Sequence, residues 1–164
     1  MRIGFTGTRV GMTDAQLRSV GVLMLRLTAH KSGPHVLHHG MCVGADHQTH
    51  DMWLKLAEAQ ASASFTTHGH PGLNQAHRPE GRARVVCDRV ESARLYLARN
   101  HRIVASVEAL IAAPGTAAET LRAGTWATVR AARRRGLWTL VVDPTGVVRE
   151  ERTTLPEQLG LFGN

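Results

Sequence analysis

The 164-residue chain is poor in several things that would have placed it at once. It has two cysteines, Cys42 and Cys87, which form neither a disulfide framework nor a pair at metal-binding spacing, as suits a reducing cytoplasm. Aromatic residues make up only 4%, too few for a stacking platform along single-stranded nucleic acid. No apolar run reaches the roughly 18 residues that cross a bilayer. Met1 to Arg9 holds no apolar leader segment, so no signal peptide is expected and the reading is cytoplasmic, without membrane partners. HExxH and CxxC are absent. The ten histidines therefore read as core or surface residues, although Asp46 and His50 share a helical face with His47 close by, and His68 and His70 flank a glycine. Neither a metal nor a cofactor is expected on these grounds.

What is present is glycine, apolar strand-like runs and positive charge. With 43% hydrophobic residues, one domain of this size can bury a full core. Lys and Arg outnumber Asp and Glu by 20 to 13, and the pI is near 10.9. That balance suits an anionic partner, either a nucleotide or nucleic acid. The tight cluster Arg130, Arg133, Arg134, Arg135 closes a predicted helix, where positive charge also suits the helix dipole.

Periodicity lays strands and helices in alternation. Arg2 to Thr6 reads as a strand turned by Gly7-Thr8-Arg9. A helix follows from Thr13-Asp14, with Leu17, Val20, Leu23, Met24 and Leu27 on one face, and ends at Ser32-Gly33-Pro34. His35 to His39 is a strand and Val43 to Ala61 a helix. Ser62 to Thr67 is a strand, His68 to Arg84 a loop, and Ser92 to Ser106 a helix. Ala109 to Ala113 is a buried strand that breaks at Pro114-Gly115. Gly124-Thr125-Trp126 opens another helix, and Leu137 to Val142 is the last apolar strand. The pattern predicts an α/β, Rossmann-like, doubly wound and mostly parallel sheet. One domain spans 1–148, and a tail spans 149–164.

In such sheets ligands bind beyond the carboxyl ends of the strands. Those ends carry Gly7-Thr8-Arg9, Gly40 to Asp46 and Pro114 to Thr125. Glycine lets an anion come close, and a helix N-terminus offers unpaired N–H groups to it. Gly7, Thr8 and Arg9 make either a tight turn or a phosphate contact with Arg9 as clamp. Gly44 and Asp46 serve either as a helix start or as a site in which Asp46 holds a ribose hydroxyl or positions water. Trp126 is either core or a stacking face for a base. Glu119 is either a solvated loop carboxylate or a catalytic group that stabilises an oxocarbenium-like centre.

The segments GFTGTR (Gly4 to Arg9), HHGMCVGAD (His38 to Asp46) with His50, YLARNHRIV (Tyr96 to Val104) and LIAAPG…AGTWATVRAAR together resemble the SLOG superfamily, most narrowly its YspA/YpsA-like branch. The resemblance implies a Rossmann-like domain that binds nucleotides or nucleotide-derived ligands, commonly as a homo-oligomer. Related members are the LOG phosphoribohydrolases, which cleave the N-glycosidic bond of nucleoside monophosphates, and the DNA-binding protein DprA. By that likeness Arg99 stands where LOG enzymes carry an arginine, with Asn100 beside it. The ligand would lie against Gly7, Thr8, Arg9, Gly40, Gly44, Pro114, Gly115, Gly124, Thr125 and Thr128. The LOG motif PGGxGTxxE, aligned on Gly124-Thr125, places Thr128 where the catalytic glutamate belongs. Aligned on Pro114-Gly115-Thr116, it reaches Glu119. Glu119, Arg99 and Asp46 are the catalytic candidates. Non-catalytic nucleotide sensing is the alternative. A nucleic-acid-associated role is another, because Gln158, Leu159, Leu161 and Phe162 resemble the QLxLF peptide that docks on a sliding clamp.

Overall fold

A computed structural model describes residues 1–29, 33–60, 63–73 and 85–152. The sliding-clamp-like peptide of Gln158 to Phe162 lies outside these residues. In chain order the elements are β1 (Arg2–Gly7), α1 (Asp14–Thr28), β2 (His35–His39), α2 (Ala45–Ala59), β3 (Phe65–Gly69) and β4 (Arg89–Val90). They continue with α3 (Tyr96–Ser106), β5 (Ala109–Ala113), α4 (Gly124–Arg134), β6 (Trp138–Val142) and β7 (Val148–Glu151). One seven-stranded sheet runs β4-β3-β2-β1-β5-β6-β7. Every pairing is parallel except β6 with β7.

The β1–β5 neighbourhood is where the winding reverses. From β1 the chain moves outward through β2 to β4, then returns to β5 on the other side. Both strands are therefore central and buried on both faces, which explains the unbroken apolar run of Ala109–Ala113. On one face Ile3, Phe5, Leu37, Ile111, Leu140 and Val142 pack against Val20, Leu23, Met24 and Leu27 of α1 and Trp53 and Leu56 of α2. On the other, Leu110 meets Val104 of α3 and Ala131 and Ala132 of α4, while Ala112 and Val141 meet Trp126 and Val129. Alternate residues of β5 thus anchor opposite helical layers, as strand pleating requires.

Helix α1 starts with a capping box: Gln16 N–H donates to Thr13 Oγ1, and Thr13 N–H donates back to the Gln16 side chain. The same Gln16 amide donates to the carbonyls of Pro114 (2.9 Å) and Val142 (3.0 Å), tying α1 to the ends of β5 and β6.

Two expectations are revised. The strand expected at Ser62 to Thr67 is Phe65–Gly69. Two further strands, β4 and β7, exist where the sequence shows no apolar alternation. Strand β7 pairs with β6 from Val148 to Glu151, so the sheet continues into the segment read as tail.

Candidate functional site

A cleft of about 480 Å³ opens at the carboxyl ends of β1 and β5, the position where open α/β sheets bind ligands. Of the residues singled out from sequence, Gly7, Thr8, Arg9, Asp46, Arg99, Asn100, Pro114, Gly115, Gly124 and Thr125 all line it. Cys42, Tyr96, Thr116 and Thr120 join them.

The floor of the cleft is held rigid by the turn after β1. Thr8 N–H donates to Ala113 O, and Thr8 O accepts from both Gly11 N–H and Ala45 N–H. The first residue of α2 is thereby bonded to the end of β1. Gly44, just before it, has φ +79° and ψ −125°, a conformation that only glycine adopts readily.

Arg99 is the most telling side chain. It lies on α3, only 7% exposed, and its guanidinium fills the space beside Gly40. A Cβ placed on Gly40 would stand 1.3 Å from Arg99 Nη1, so the missing side chain is what admits the guanidinium. Arg99 Nη2 contacts Cys42 Sγ at 3.7 Å, but its Nε is buried without a hydrogen-bond partner. The ring of Tyr96 lies between two cations, with the Arg9 guanidinium 5.1 Å and the Arg99 guanidinium 5.4 Å from its centroid.

Asp46 stands on the same side, 4% exposed, and accepts from Cys42 N–H at 3.1 Å. Burial pushes its carboxyl above the ordinary range, against the attraction of Arg99. Burial likewise pushes the Cys42 thiol up, so it stays protonated.

Helix α4 points its N-terminus at the cleft. Its N-cap, Ala123, has no side-chain acceptor to offer, and its first turn carries no acid. The amides of Gly124, Thr125 and Trp126 therefore present partial positive charge to the cavity. A Cβ on Gly124 would meet nothing within 4 Å, so this wall is open to a ligand.

Of the remaining candidates, Gly40, Gly44, Thr128 and Glu119 do not line the cleft, whereas Trp126 does. Thr128 is fully buried beneath the cleft; its hydroxyl donates back to Gly124 O at 3.0 Å and faces Thr6. Glu119, expected as a catalytic carboxylate, lies outside the cleft lining. Arg130 and Arg133 hold it at 3.1 and 2.8 Å, and those hydrogen bonds lower its pKa. The helix end drew it away because that is where the counter-charges are. Trp126 is 1% exposed, packed with Ala112, Val129 and Val141, and its indole N–H donates to Thr116. It fills core and offers no open face to a base.

Sequence reading did not anticipate two histidine clusters, each with one member on β2. His38, His68 and His70 form one; His39, His50 and Cys87 form the other. Adjacent residues of β2 point to opposite sheet faces, so His38 and His39 each recruit their own neighbours. Burial lowers His38 to about 4 and His39 and His70 to about 3, so these rings are uncharged at neutral pH.

No family model matches the chain, and no curated protein does. Among solved structures it is similar to the X-ray structure of TM1055, a structural genomics target, with a TM-score of 0.53 and 13% identity over 84% of this chain and 71% of that one. At that identity the likeness speaks for fold alone. Together with the observed topology, it makes the chain a single-domain α/β protein of Rossmann-like architecture.

Proposed function

We propose that the chain is a SLOG-type domain whose cleft binds a nucleotide or nucleotide derivative by its phosphate. The observation that carries this reading is Arg99: a buried guanidinium with an unpartnered Nε, beside the uncapped N-terminus of α4 and across Tyr96 from Arg9. An anion there would receive backbone N–H groups from one side and charge-assisted bonds from the other.

Screening nucleoside 5′-monophosphates and nucleotide sugars by thermal shift tests it. A bound ligand at 100 times its Kd adds about 2.7 kcal/mol of stability. Arg99→Ala is expected to lose at least roughly tenfold in affinity, the equivalent of about 1.4 kcal/mol. Gly40→Ala should match it, because the new methyl displaces the Arg99 guanidinium. No shift with any of these compounds, or a full shift retained in Arg99→Ala, overturns the proposal.

Hydrolysis of an N-glycosidic bond is the enzymatic version, favoured by one observation: Asp46 supplies a carboxylate to the cleft lining. In this version Asp46 holds a ribose hydroxyl or orients the attacking water. Release of free base should then be lost in Asp46→Asn and unchanged in Glu119→Gln. Absence of base release with binding intact assigns the domain to nucleotide sensing. Nucleic-acid association ranks below both, since Arg130 and Arg133 of the basic helix end are already paired with Glu119, and Arg133 also with Glu151.

A further inference from the structure

We propose that His38, His68 and His70 form a binding site for a divalent transition-metal ion of the zinc class, with Glu91 as its outer carboxylate. The site is separate from the nucleotide cleft and lies on the β2–β3 half of the sheet.

The register creates it. His38 and His68 are directly paired across parallel strands β2 and β3, so their side chains share one face. His70 follows two residues on and returns to that face. One ligand nitrogen from each ring lies within 4.8 Å of the others, and His38 Nδ1 and His70 Nε2 are already 3.0 Å apart. Around a tetrahedral ion with bonds of about 2.0–2.1 Å, ligand nitrogens stand roughly 3.3 Å apart. Small ring rotations close the gap.

Two further observations point the same way. His70 is 1% exposed, yet its Nδ1 has no hydrogen-bond partner. Nothing in the described residues therefore fixes that ring except its neighbours. Glu91 Oε1 lies 3.3 Å from His68 Nε2. At that distance Glu91 is an ion-pair neighbour of the ring, while His68 Nε2 itself is buried without a hydrogen-bond partner; a carboxylate beside a ligand histidine is the usual outer partner of such a site. Arg89 and Arg102 pin Glu91 in turn, at 3.8 and 3.7 Å.

The second cluster fails the same examination. Met41 N–H donates to His39 Nδ1 at 3.2 Å. The proton of neutral His39 then sits on Nε2, the very atom that faces His50 and Cys87. A metal there would have to displace it. The two clusters are chemically unlike despite their similar composition.

Three imidazoles and no thiolate suit Zn²⁺, with Co²⁺ as a spectroscopic stand-in. They also leave a fourth position. His38 and His68 border a groove shared with Arg2, Asp88 and Arg102, from which water or a small anion could complete the shell.

The full chain, stripped with chelator, is titrated with Co²⁺ and separately with Zn²⁺. The expected result is a visible d–d absorption spectrum with cobalt and a rise in Tm with zinc. His68→Ala should abolish both, while His50→Ala keeps both. Glu91→Gln, which removes only the outer carboxylate, should weaken zinc binding about tenfold. Melting without metal confirms that each variant is folded. Absence of both signals in the wild-type chain overturns the proposal. So does a cobalt spectrum that survives His68→Ala, or one that needs His50 or Cys87.

Discussion

Acidification in the presence of chelator is expected to destabilise the protein steeply from about pH 6.5 downward, so that the loss begins before carboxylates are neutralised. The cause is the set of buried histidines. His38 is held at about 4 and His39 and His70 at about 3, all below the ordinary value of 6.5, with burial as the leading cause in each. The sign follows from proton counting. Below 6.5 the unfolded chain takes up protons on these rings and the native chain does not. Their contribution is therefore complete above 6.5 and is lost as pH falls toward the folded values. Each proton is worth about 1.4 kcal/mol per pH unit, so three histidines together remove about 4 kcal/mol per unit. At that slope a domain with a total of about 5–15 kcal/mol is exhausted about one to four units below pH 6.5. His50 and His68 are lowered too and add to the slope. Asp46, pushed up by burial, opposes it, but it is one group against five. Denaturant midpoints followed by tryptophan fluorescence from pH 7 to 4 measure the effect. A stability that stays flat across that range would mean that the native cluster accepts protons as readily as the unfolded chain does.

Gly44→Ala is expected to be the most damaging single methyl in the candidate site. The residue holds φ +79° and ψ −125°, and a Cβ there would lie 2.3 Å from Arg9 O and 2.8 Å from Gly11 N. Those atoms cannot yield, because the Thr8 carbonyl is bonded to Gly11 N–H on one side and Ala45 N–H on the other. Backbone strain of about 1–3 kcal/mol adds to an overpacking cost of similar size. At this chain length about 4 kcal/mol corresponds to a Tm drop of roughly 10–15 °C. Gly124→Ala is the contrast. Its Cβ would enter open space at the first helical position, where alanine meets no clash and restricts the unfolded chain, a gain of about 0.4–1 kcal/mol. Calorimetry of the two variants should therefore give shifts of opposite sign. Equal and small shifts would show that the β1–α2 junction is softer than its hydrogen bonds imply.

The parts of the fold that were legible in the sequence are those whose burial is uniform. Ala109–Ala113 is buried on both faces, so its run of apolar residues begins and ends with the strand. Gly124–Arg134 follows a loop with clear breakers, and the helix begins at the glycine that marks the end of that loop. Strand β3 was displaced because its last residues, Thr67, His68 and Gly69, are polar or small and look like loop. Strand β7 reads Val-Arg-Glu-Glu and is recognisable only by its partner β6. In the candidate site the glycine turns announced themselves, because a close approach of backbone requires a particular residue. Tyr96 did not, since its place between Arg9 and Arg99 depends on how α3 docks. The histidine triad was hidden for a related reason. His68 and His70 are neighbours in sequence, but His38 joins them only through strand register.

The two borders of the sheet have a consequence for assembly. At one border stands β4, only two residues long, with the charged Arg89. At the other stands β7, which runs against its neighbour and carries Arg149, Glu150 and Glu151. Short and heavily charged rims are poor templates for another backbone. Among the described residues, then, neither rim invites strand-to-strand pairing between two such molecules.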